Sequence, residues 1–186
     1  MDVTRILEAD HRQVEDLFEK ISKADGDERL PLIEELATSL EAHMELEEQV
    51  VYPTMGPVTG DERVQEGETE HELARKTLAE MQTLAPDEPG FEGALESVKA
   101  GIEHHVEDEE GSVFPKLRAD GPDALEAMST PFMHKRVELG LPIDAVALAA
   151  ASTKEELLEQ AANAGFDGTS SMNKDELAEA LAARMA

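Results

Sequence analysis

HMELEEQVVYP spans residues 43–53, and HVEDEEGSVFP spans residues 105–115. Six of the eleven positions agree: the histidine, three glutamates, one valine and the closing proline. An acidic, histidine-headed phrase written twice in one chain is an internal repeat, and a repeat fixes how the rest is read.

Working outward, both phrases close long stretches of helical periodicity. Leu7, Val14, Leu17, Phe18 and Ile21 place a first helix over about Val3–Lys23, ended by ADGD. Leu32, Leu36, Leu40, Leu46 and Val50 place a second over about Glu28–Val51, with YPTMGPVTG as its break. A third runs from about Asp61 to Leu84 and a fourth from about Phe91 to Leu117. Long amphipathic helices with short connections predict an all-α fold, an up-down-up-down four-helix bundle over residues 1–120. An additional helix, about Asp123–Val137 with an interruption at Pro131, and a linker fill 121–141. Residues 142–186 form a small helical appendage: an Ala-rich turn, then STKEELLEQAANAG and MNKDELAEALAARM around a GFDGTSS loop. Ser152–Glu155 and Asn173–Glu176 both fit a capping box. The ELGLPID stretch reads as a domain edge, and the appendage is too small for much core of its own.

Residues four apart share a helix face, so His43 points with Glu47 and His105 with Glu109. Leu36 and Leu40 precede His43 by seven and three residues, and Val98 and Ile102 precede His105 likewise. Both pairs therefore lie on the apolar stripe and face the bundle interior. His11 is followed by Val14 and Phe18, and His71 is flanked at seven residues by Val64 and Leu78. Each helix thus sends one histidine inward, and the second and fourth add a glutamate. A lone inward histidine is usually a core residue. Four at repeated spacing beside two carboxylates are a metal site, because a buried ionised carboxylate needs a positive partner. Basic residues nearby, such as Arg12 and Arg75, are too few to pair with both. His104 falls beside His105 on the solvent side, and His134 is structural or exposed. Glu45, Glu48, Glu107, Asp108 and Glu110 read as a solvated face, and Met44, Met55, Met81 and Met133 as core.

Composition narrows the function classes. The chain carries 43 acidic and 16 basic residues, a net charge of −27, which disfavours nucleic acid and anionic lipid. It has no cysteine, so thiolate ligands and thiol catalysis are excluded. One Tyr, five Phe and no Trp leave the core to aliphatic residues and Met. With neither a signal-like start nor a membrane-length apolar run, a soluble cytoplasmic protein is expected.

The order His, HxxxE, His, HxxxE resembles the hemerythrin-like, or HHE cation-binding, family over about Val3–Leu117, including Tyr52-Pro53 and Phe114-Pro115. That resemblance implies two irons per chain, oxo- or hydroxo-bridged and also bridged by Glu47 and Glu109. His11 and His43 would hold one side, His71 and His105 the other, with no catalytic residue beyond these ligands. Oxygen-carrying members have a further histidine four residues from the third-helix one; here those positions are Gly67 and Arg75. The vacant place falls to Glu68, to water or to an incoming ligand. This departure points to reaction with a small oxidant, such as peroxide decomposition or binding of O2 or NO. A sensor, or an iron store or delivery protein, is the alternative. The tail resembles the short helix–loop–helix of the N-terminal part of transcription termination factor Rho and SAP-like modules. From Ser152 onward, however, three basic residues face seven acidic ones, so protein contact or packing on the bundle fits it better than phosphate.

Overall fold

A computed structural model describes residues 1–166 and 168–185. It is all-helical, with no strand among the described residues. The first rod of the bundle is α1 (Thr4–Lys23). The second is α2 (Arg29–Leu46), a π-helical turn (Glu47–Val51) and α3 (Tyr52–Thr59). The third is α4 (Asp61–Gln82). The fourth is α5 (Phe91–Asp108), a second π turn (Glu109–Val113) and α6 (Phe114–Asp120). After them come α7 (Pro122–Leu139), α8 (Ala145–Ala151), α9 (Lys154–Asn163) and α10 (Lys174–Met185).

YPTMGPVTG is not a helix break. The N–H of Tyr52 bonds the carbonyl of Glu47, and that of Phe114 bonds Glu109, each five residues back. Pro53 and Pro115 have no N–H for the carbonyl four residues before them, and their rings crowd it. A turn widened by one residue accommodates both effects, so the rod continues. The actual stop is Gly60, whose φ of 105° suits only glycine and turns the chain straight into α4. Pro131 does not interrupt α7 either: it lies on the exposed face, where the carbonyl it leaves unbonded meets water. The Ala-rich segment expected as a turn is helix α8, capped by Asp144 through the N–H of Ala147 at 2.7 Å. The box at the start of α9 is one residue later than expected, Thr153–Glu156, whereas Asn173–Glu176 caps α10 as read. The GFDGTSS loop holds a short 3-10 turn, Thr169–Ser171, and its Asp167 lies outside the described residues.

Two apolar clusters fill the molecule. One gathers Val14, Phe18, Leu36, Leu78, Phe91 and Val98. The other gathers Ile6, Leu7, Val51, Phe114, Phe132 and, from the tail, Leu148, Leu157, Leu177 and Leu181. Residues on both sides of ELGLPID therefore share one core, and the N–H of Asp2 bonds the carbonyl of Ala151 at 2.7 Å. Between the clusters lies a polar layer.

Candidate metal centre

The polar layer contains all six residues picked from the repeat. His11, His43, Glu47, His71, His105 and Glu109 are each buried. Two groups have ligand atoms within 4.8 Å of one another: His11, His43, Glu47 and Glu109, and Glu47, His71 and His105. Glu47 belongs to both, with one oxygen 3.3 Å from His43 Nε2 and the other 3.2 Å from His71 Nε2. Glu109 Oε2 lies 3.4 Å from His11 Nε2 and 3.7 Å from His105 Nε2.

Neither oxygen of Glu47 or of Glu109 has a hydrogen bond, nor has Nε2 of His11 or His43. Orphaned buried carboxylates cost several kcal/mol each, on the order expected for an ion removed from water. Such a donor set, four imidazole nitrogens and two carboxylates in two adjoining groups that share Glu47, fits divalent or trivalent cations. Without a cation, protons take that role. Burial opposes charge on His43, but the Glu47 carboxylate and Asp10 outweigh it and raise its pKa to about 10. His11 and His105 are raised too, against burial, by their glutamate neighbours. Burial works against ionisation of Glu47, yet His43 and the other imidazoles hold it well below the usual carboxylate range.

The outward ring nitrogens follow a rule that the sequence reading missed. His11 Nδ1 meets Glu110 at 2.8 Å, His71 Nδ1 meets Glu48 at 3.0 Å and His105 Nδ1 meets Glu70 at 2.8 Å. Each carboxylate accepts from an Nδ1–H, which leaves the Nε2 lone pair pointing inward. Glu48 and Glu110 are therefore not a solvated face; they are half-buried props, held in turn by Arg75 and Arg12. His43 differs, because its Nδ1 faces Asp10 at 3.6 Å, too far for a hydrogen bond. The signal was present: an acid precedes His11 and His71, and a second glutamate follows Glu47 and Glu109.

The vacant fifth-histidine place is filled from elsewhere. Glu68 is exposed and takes no part. Tyr52, first residue after a π turn, lays its ring against Gly67 and brings Oη to 3.1 Å from His71 Nε2. A side chain at 67 would collide with that ring, so no histidine can enter there while Tyr52 stays. Burial, then the Glu47 and Glu109 charges, push the phenol pKa upward, so Tyr52 is a neutral donor. Phe114 has the same place after the other π turn and stacks 6.0 Å from His11. One half of the site thus has a hydroxyl where the other has only a ring edge. A cleft of about 10 Å³, room for little more than one water, opens between Arg63, Glu66 and Asp108 and reaches Tyr52, His105 and Glu109. His104 is exposed, as expected.

Proteins similar to this chain are found both by sequence and by fold. Over 122 residues the chain is 29% identical to an uncharacterised hemerythrin-like protein of Schizosaccharomyces pombe, covering 62% of this chain and 60% of that one. Over 119 residues it is 24% identical to a DNA nickase of a Nostoc species, covering 63% of this chain and 34% of that protein. The chain thus spans from a third to three-fifths of the length of these relatives. A crystal structure of a hemerythrin HHE cation-binding domain-containing protein from Mycobacterium kansasii matches its fold with a TM-score of 0.60 at 21% identity. It covers 100% of this chain and 99% of that one. The Hemerythrin HHE cation binding domain model matches residues 2–117, the stretch that holds all six buried donors, and the chain belongs to that family.

Proposed function

We propose that the six buried residues hold two irons, bridged by Glu47 and Glu109, and that the centre decomposes peroxide. The observation that carries this reading is the shared orphaned carboxylate. Glu47 sends one oxygen toward each histidine pair, which one metal would not require. Two irons, when bound, would supply the two-electron couple by which one peroxide is reduced to two waters and a second is oxidised to O2. The chain's part is to orient and to manage protons. Glu48, Glu70 and Glu110 fix three imidazoles with Nε2 inward. Tyr52 keeps its proton on Oη and presents it to a ligand on the His71/His105 side, reached through the narrow cleft. The small volume of that cleft, about 10 Å³, favours molecules of two to four atoms. Leu36, Leu40, Phe114 and Val51 exclude bulk water from the layer's two faces.

Nucleic acid lies outside the proposal, because a chain of net charge −27 repels phosphates. No described helix is long and apolar enough to cross a membrane. Anaerobic titration with ferrous iron, elemental analysis and oxygen-electrode assays with peroxide test the reading. The expected result is two irons per chain and O2 evolution that needs both. Saturation at one metal, or a preference for zinc with no turnover, overturns it.

A further inference from the structure

We infer that Arg136, on α7 beyond the family-matched bundle, is a positioning residue that couples the C-terminal segment to the His43 side of the metal centre. Its guanidinium is fully buried and grips Asp10 with two nitrogens, Nη1 on Oδ2 and Nη2 on Oδ1 at 3.0 Å. The same Nη2 also donates to the carbonyl of Pro142, in the segment that leads to α8. Phe132 lies under the guanidinium, 5.6 Å from its carbon. Beside it, Lys135 reaches Glu45 on α2 at 2.9 Å, so α7 is fastened to the bundle at two consecutive residues.

The fourfold pattern of the outer carboxylates shows what this grip does. Three histidines have theirs within 2.8–3.0 Å on Nδ1. Only the fourth, Asp10, is buried, and only it stands off from its histidine, at 3.6 Å. Arg12 and Arg75 also hold outer carboxylates, but Arg12 is exposed and Arg75 half-buried, and both leave the carboxylate on its imidazole. Arg136 competes with His43 for Asp10. When Nε2 of His43 gives its lone pair to a cation, Nδ1–H becomes a stronger donor, and Asp10 is the acceptor it faces. A shift of Asp10 toward His43 draws Oδ1 away from the shared Nη2 and leaves that nitrogen to the Pro142 carbonyl, which tightens the packing of α8 on α1 and of α10 on α8. Linkage makes the coupling reciprocal: metal steadies the tail, and a well-packed tail favours metal.

The inference rests on the metal-centre reading, and the experiment separates the two. Full-length protein is loaded with ferrous iron anaerobically, and amide hydrogen exchange is followed in α8–α10 and in the bundle. In the wild type, iron should slow exchange in α8–α10 by about 5- to 150-fold, the usual span of coupling between sites. Arg136→Met should abolish that response while iron still protects α4 and α5. Arg75→Met, which frees Glu48 without touching the tail, should retain it. Cobalt(II) gives a readout that plain destabilisation would not move. Its ligand-field bands should shift in Arg136→Met, as Asp10 closes on His43, and return toward wild type in Arg136→Lys. A wild-type protein that binds iron but whose tail exchanges at an unchanged rate overturns the inference and leaves the metal-centre reading standing. No iron binding at all overturns both. If Arg136→Met does not fold, the wild-type exchange and Arg136→Lys still decide.

Discussion

A Cβ on Gly67 would lie 2.5 Å from Tyr52 Oη and 2.9 Å from Cζ, closer than atoms approach without something moving. Alanine for glycine inside a helix normally gains up to about 1 kcal/mol. Here Gly67→Ala should instead cost about 1–3 kcal/mol, the range for overpacking a filled site. The cost should shrink in a chain that already carries Tyr52→Ala. Denaturant melts of the two single variants and the double variant check this, and additive effects would mean the ring does not fill the place. The outer carboxylates give a second expectation. Glu48→Ala or Glu110→Ala should weaken iron binding about 10- to 100-fold, the usual effect of removing a ligand's hydrogen-bond partner. Glu107→Ala should leave it unchanged, and competition with a coloured chelator measures all three. Spacing alone could place Glu48 and Glu110 off the inward face. It could not show that a half-exposed carboxylate reaches sideways to a histidine of the neighbouring rod.

Among the elements, the two π turns and the tail caps show where local rules hold and where they slip by a residue. The π turns begin at Glu47 and Glu109 and set Tyr52 and Phe114 pointing back into the layer. The Pro53→Ala, Pro115→Ala double variant supplies two missing N–H groups and lets both turns tighten. It should keep its helix content by circular dichroism yet bind iron less tightly. At α9, Thr153 and Ser152 both resemble caps in sequence, but only Thr153 meets the N–H of Glu156, at 3.2 Å. Thr153→Ala should therefore cost about 0.5–2 kcal/mol. Ser152 is buried with its hydroxyl unbonded, so Ser152→Ala should cost nothing measurable or stabilise slightly. Unfolding curves of the two variants distinguish the registers. Periodicity located the helix to within a turn, whereas the cap depends on which hydroxyl the backbone happens to turn inward.

Across the whole molecule, the charge layer between two apolar clusters sets a pH dependence. In the metal-free protein His43 is raised to about 10, and His11 and His105 are raised as well. A raised histidine stabilises fully below its unfolded value, about 6.5, and loses that contribution as pH climbs through the folded value. The lowered carboxyl of Glu47 acts in the other sense: its contribution is present above about 4.5 and is lost toward acid. Chelator-treated protein should therefore melt highest between these limits, with Tm falling from about pH 6.5 to about pH 10. His43→Gln should flatten that fall. Iron-loaded protein should show the reverse slope over neutral pH, because coordination displaces protons from the imidazoles. Parallel melts with and without chelator check both trends.

At this scale the division between sequence and structure is physical. Four long helices, their inward faces and the six buried donors were legible because each depends on spacings of three, four and seven residues along one helix. The repeat even marked which helices carry glutamate. The site's remaining parts depend on which face meets which neighbour, and local periodicity carries no record of that. Tyr52 and His71 are 19 residues apart, His11 and Glu110 are 99, and Asp10 and Arg136 are 126. Only packing brought the phenol into the fifth-histidine place, turned solvent-side glutamates onto imidazoles, and drew an arginine from outside the repeat against the centre. Close packing leaves one place for each of these groups, and a buried charge accepts only a partner that reaches it.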